Sequence, residues 1–67
     1  MVLVDYKTTL LPEGMTVETF LQEQADLYRG QLLAYQEMLA HARSLDPALI
    51  RIFLYFTAIQ KEYEIKE

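Results

Sequence analysis

Asp5 and Lys7 stand two apart in the stretch VLVDYKTT, residues 2–9. In an extended chain that spacing turns both side chains to one face, about 7 Å apart along the strand. A carboxylate beside a central strand is costly unless something uses it. A second pair, Gln31 and Tyr35, sits four apart, which places an amide and a phenol on one face of a helix. Each pair has a plain alternative reading. An Asp-x-Lys pair at a strand end is commonly a solvated contact worth little, and Gln and Tyr are ordinary residues at the edge of a helical core. The order of the pairs along the chain, and the elements that hold them, decide between the readings.

Residues 2 to 7 alternate. Val2, Val4 and Tyr6 face one way, and Leu3, Asp5 and Lys7 the other, as in a strand. Pro12 and Gly14 break residues 8–16 into a loop, and Thr16 is a helix N-cap with Glu18 in the first turn. From Val17 to about Arg43 the period turns helical. Val17, Phe20, Leu21, Tyr28, Leu32, Tyr35 and Leu39 recur at three- and four-residue spacing, with Gln24 and Gln31 in the same stripe. Gly30 in the middle allows a bend or break. Ser44-Leu45-Asp46-Pro47 stops the helix, because the residue before proline is pushed out of the α region. The run LIRIFLYF, residues 49–56, reads as a strand buried on both faces. A short turn around Ala58 to Gln60 leads to an alternating strand over residues 62–66. The order is β-α-β-β, in the α/β class at its border with α+β, with a mixed sheet and one long helix. The first two strands should be parallel with a right-handed crossover, and the last a hairpin partner.

The bulk numbers fit one small domain or part of one. The chain has 67 residues, no cysteine, one histidine and a formal charge of −4. Disulfides and thiolate metal sites are excluded, and the composition suits a reducing cytoplasm. The acidic balance argues against binding nucleic acid through bulk electrostatics. No apolar run approaches the length of a membrane span, and no membrane partner is expected. A hydrophobic fraction of 52% is high for so small a domain and points to apolar surface covered by more protein. His41 suits a helix C-terminus, and Met15 and Met38 suit packing. Phe53, Tyr55 and Phe56 could stack on bases but are read as core.

Val4-Asp5-Tyr6-Lys7-Thr8, then Tyr28-Arg29-Gly30-Gln31-Leu32-Leu33-Ala34-Tyr35, then Leu54-Tyr55-Phe56 follow one another in a characteristic order. Together with Thr19-Phe20-Leu21, these blocks resemble the C-terminal end of the RecB/AddA-type nuclease domain. That domain is of the restriction-endonuclease-like PD-(D/E)xK fold and is found at the C-terminus of UvrD/Rep-like helicase–nucleases. The resemblance covers nearly the whole chain.

The resemblance implies metal-assisted phosphodiester hydrolysis in an ATP-dependent helicase–nuclease of DNA recombination and repair. It makes Asp5 a ligand of Mg²⁺ or Mn²⁺, with the Tyr6 carbonyl as a second oxygen. Lys7 would lie by the scissile phosphate and offset developing charge. Gln31 and Tyr35 match a QxxxY motif that steadies the site and the DNA backbone, and Thr8 could add a hydroxyl. In that family further acidic ligands precede the DYK strand, within a hairpin and a helix that have no counterpart here. Glu13, Glu18, Glu23 and Asp26 follow the motif and do not match its order. The 67-residue chain is therefore expected to be inactive alone, with DNA and the remainder of the helicase–nuclease as partners. The alternative is a nuclease-like remnant serving as a DNA- or protein-binding module. In either case an open sheet edge favours a homo-oligomer.

Overall fold

The computed structural model describes residues 1–66. In chain order the elements are β1 (Val2–Lys7), α1 (Val17–Arg43), a 3-10 turn (Pro47–Leu49), β2 (Arg51–Phe56) and β3 (Lys61–Ile65). The sheet runs β1-β2-β3. β1 is parallel to β2, with Val4 opposite Phe53 and Tyr6 opposite Tyr55. β3 is antiparallel to β2, with Leu54 opposite Tyr63. The chain is thus α+β, a three-stranded mixed sheet with one helix, in the element order that the alternation and helical period predict. No helix among the described residues is long and apolar enough to cross a membrane.

The helix is bounded where its sequence says it should be. Thr16 is extended, and its Oγ1 accepts from the Thr19 N–H at 3.2 Å. A hydroxyl cap of this kind is worth about 1 kcal/mol. At the other end Ser44 turns left-handed (φ 54), and the Leu45 N–H returns to the Ala40 carbonyl at 2.8 Å. That geometry satisfies carbonyls the last turn would otherwise leave open. Asp46 then caps the next turn, its Oδ1 accepting from the Ala48 N–H at 3.0 Å. Gly30 does not break the helix. α1 runs unbroken for 27 residues, about 40 Å, in a molecule 44 Å long.

α1 lies on one face of the sheet, mainly against β2 and β3. Phe20, Ala25 and Leu32 meet Ile52, Leu54, Phe56 and Ile65 in the core. The rings of Phe20 and Phe56 cross edge to face, 5.2 Å between centroids. β3 is also tied down by polar contacts. The Tyr63 hydroxyl donates to Gln22 Oε1 at 3.0 Å, and Arg29 Nε donates to the Lys66 carbonyl at 3.0 Å. Arg29 and Gln22 both donate to Asp26, and Arg29 above all holds that carboxyl below its usual range.

Two expectations change. The 49–56 run is not buried on both faces. Ile52, Leu54 and Phe56 are buried, whereas Arg51 is exposed and Phe53 and Tyr55 are half-buried, and Leu49 belongs to the 3-10 turn. An apolar run carries no record of what lies on its far side, and among the described residues nothing packs there. Gln31 and Tyr35 also leave the core stripe. Both are exposed, while Leu32 between them is buried. At 100° per residue, Gln31 stands about 100° and Tyr35 about 60° from Leu32 on the same side. They form a flank of the helix and not its packing face. The last strand is Lys61–Ile65 and not residues 62–66, and Glu67 lies outside the described residues.

Candidate functional site

β1 brings the site's charges in from one side. Its alternation turns Leu3, Asp5 and Lys7 toward the helix and leaves Val2, Val4 and Tyr6 on the bare face, 60%, 39% and 68% exposed. Lys7 Nζ reaches Asp5 Oδ2 at 3.2 Å. The same ammonium sits over the Tyr28 ring, 3.9 Å from its centroid, where the ring's negative face attracts it. Lys7 is therefore held from two directions, by a carboxylate on its own strand and by an aromatic face on α1.

The flank of α1 supplies the other wall. Leu3, Val4, Asp5, Gln31, Leu32 and Tyr35 line one groove of about 240 Å³ between β1 and the helix. Asp5, Gln31 and Tyr35, which belong to motifs far apart in sequence, thus share a single concavity, and Lys7 is in contact with its carboxylate. Tyr28 is the residue whose place in this arrangement the sequence reading assigned to the core alone. Its signal is spacing: Tyr28, Gln31 and Tyr35 stand at i, i+3 and i+7, one face of a helix.

The register of β1 decides where its backbone points. The Arg51 N–H donates to the Met1 carbonyl at 2.9 Å, and the Thr57 N–H to the Lys7 carbonyl at 3.0 Å. In a parallel ladder a residue directs both its N–H and its C=O to one neighbour, and the next residue directs both the other way. The odd-numbered residues of β1 are thus committed to β2. The N–H and C=O groups of Val2, Val4 and Tyr6 point out along the open edge. The Tyr6 carbonyl is accordingly free of the sheet and lies next in the chain to the Asp5 carboxylate.

As a cation site these donors are right in type and short in number. A carboxylate and a carbonyl are hard oxygens suited to Mg²⁺ or Mn²⁺, but Mg²⁺ takes about six ligands in near-octahedral order. Among the described residues no three of His, Cys, Asp and Glu converge. Gln31 and Tyr35 add polar atoms to the groove without adding anionic charge. What the arrangement provides is a carboxylate beside a free carbonyl, an ammonium next to them, and an amide and a phenol facing them across a groove. No family model, no curated protein and no solved structure matches the chain.

Proposed function

We propose that this chain carries half of a metal-dependent phosphodiesterase site of the PD-(D/E)xK kind, and that it works within an ATP-dependent DNA helicase–nuclease of recombination and repair. One observation supports this above others. Asp5, Gln31 and Tyr35, singled out by motif order on a strand and a distant helix, line one groove, with Lys7 against Asp5. In this reading Asp5 and the Tyr6 carbonyl hold a divalent cation, Lys7 faces the phosphate, and Gln31 and Tyr35 hold the DNA backbone. Two oxygens do not complete a Mg²⁺ shell, so the chain alone is a half-site, and the remaining acidic donors belong to protein lying along the open edge of β1.

The test reads the half-site directly. Titration of Mn²⁺ into the isotope-labelled chain should broaden amide signals around Asp5, Tyr6 and Tyr35, and Asp5→Ala should abolish that pattern. In parallel, neither chain should cleave single- or double-stranded DNA with Mg²⁺ or Mn²⁺. Broadening centred on Glu13, Glu18 and Glu23, or unchanged by Asp5→Ala, would remove the metal from β1 and sink the reading. A second reading, an assembly module built on a nuclease-like fold, is favoured by the apolar row of Val2, Val4 and Tyr6 on an uncovered face.

A further inference from the structure

The open edge of β1 carries its own instructions for a partner. It presents paired N–H and C=O groups at Val2, Val4 and Tyr6, the template on which another strand adds. Its side chains have an order that matters in one arrangement. Asp5-Tyr6-Lys7 reads negative, neutral, positive, so a second copy laid antiparallel presents positive, neutral, negative.

We infer that a second copy of this chain pairs with β1 in antiparallel register about a twofold axis at Tyr6, joining two three-stranded sheets into one of six strands. Tyr6 is a residue whose backbone groups face the open edge, so Tyr6 and the partner's Tyr6 exchange both hydrogen bonds. Val4 stands opposite the partner's Thr8, the first residue past β1, so the two bonds at Tyr6 are the ones the strand itself supplies. Asp5 then stands opposite the partner's Lys7, and Lys7 opposite the partner's Asp5. Both are non-hydrogen-bonded pairs, the kind in which opposed side chains come closest, with Cα atoms about 4.5 Å apart.

The alternatives are worse on charge. An axis at Asp5 sets carboxylate against carboxylate. An axis at Val4 sets each Asp5 against the partner's Leu3. Only the Tyr6 axis satisfies backbone direction and also sets opposite charges against each other. The surroundings agree. α1 lies over β2 and β3 and leaves the groove above β1 open, so the helices do not crowd the junction. On the bare face Tyr6 already meets Tyr55 edge to face at 5.7 Å, and the twofold extends that pair into a row of four tyrosines.

The inference goes beyond the proposed function and uses the same edge. Pairing takes up the Tyr6 carbonyl, so a chain joined this way does not offer that oxygen to a cation. The experiment is charge exchange, read as mass by sedimentation velocity with EDTA present and with folding checked by circular dichroism. The wild-type chain should sediment as a dimer at high concentration. Asp5→Lys alone and Lys7→Asp alone each set like charges in both pairs and should weaken association roughly tenfold or more. Mixing the two variants should restore a dimer, now of unlike chains, and the double exchange Asp5→Lys with Lys7→Asp should restore it in one chain. A monomeric wild type overturns the inference. So does a pair of folded single variants that associate as well as wild type, or that fail to associate when mixed. None of these outcomes depends on metal, and the Mn²⁺ titration is run on chain dilute enough to sediment as a monomer, so the half-site reading stands or falls separately.

Discussion

The sheet has two edges, and they are built in opposite ways. β3 turns Tyr63 and Ile65 toward the helix and its carboxylates, Glu62 and Glu64, to the other face. Its outward charge is used, since Arg51 on β2 forks onto Glu64 with contacts of 3.0 and 2.9 Å. Its far end is fastened to α1 through Tyr63 and Arg29. β1 inverts the pattern, with its charges on the helix side and its apolar residues on the bare one. Charged, covered edges are how sheets end without recruiting strangers. β3 is tied down as a boundary, and β1 leaves its edge open. The two edges of a small sheet thus differ, one fastened to the helix and the other carrying the residues proposed for the site.

Truncation should break the comparison most sharply. Ile65→Ala removes a buried side chain from the secured edge and should cost about 2 to 4 kcal/mol. Leu3→Ala, on the half-buried face of β1, should cost roughly half as much or less. Chemical denaturation of the two variants reads the difference, and equal losses would mean that β1 is as firmly held as β3. A background shift comes next. Gly30 is exposed, a Cβ there meets nothing within 4 Å, and the residue sits in an unbroken helix. Gly30→Ala should therefore stabilise the chain by up to about 1 kcal/mol, read as a raised denaturation midpoint.

The smallest effect is acidic. Hydrogen bonding to Arg51 holds the Glu64 carboxyl below its usual value. A carboxyl depressed in the folded state contributes stability above its unfolded pKa and loses it as pH falls through the folded value. Its partner Arg51 is exposed, so the pair is screened and the contribution is small. Denaturation midpoints of Glu64→Gln and wild type should differ at neutral pH and converge under acid. A gap that persists unchanged would mean the pair does not act through its charge.

Much of this was legible in the sequence, and the boundary falls between local and non-local physics. The alternation of β1, the Thr16 cap, the stop before Pro47 and the hairpin each depend on neighbours in the chain, and each is where its residues say. Phe53 and Tyr55 show the limit. Whether a strand's second face is covered depends on what packs there, and an apolar residue looks the same in both cases. Gln31 and Tyr35 show a subtler limit. The apolar stripe is wide, and only the seating of Leu32 fixes which neighbours become its flank. The motif spacing was readable, and the groove it lines with Asp5 needed the fold.

The parallel pairing of β1 with β2 has a consequence in time. β2 and β3 are joined by the turn of residues 57–60, and α1 forms from contacts within itself. β1 reaches β2 only after the whole loop, helix and second turn have been drawn together. Closing so long a segment loses chain entropy before any ladder bond compensates for it, and such non-local pairings set the pace of folding. The hairpin with its helix is thus a platform that can assemble early, and β1 docks on it late. Asp5 rides on that strand, so the groove it shares with Gln31 and Tyr35 depends on the pairing that spans the most chain in this fold.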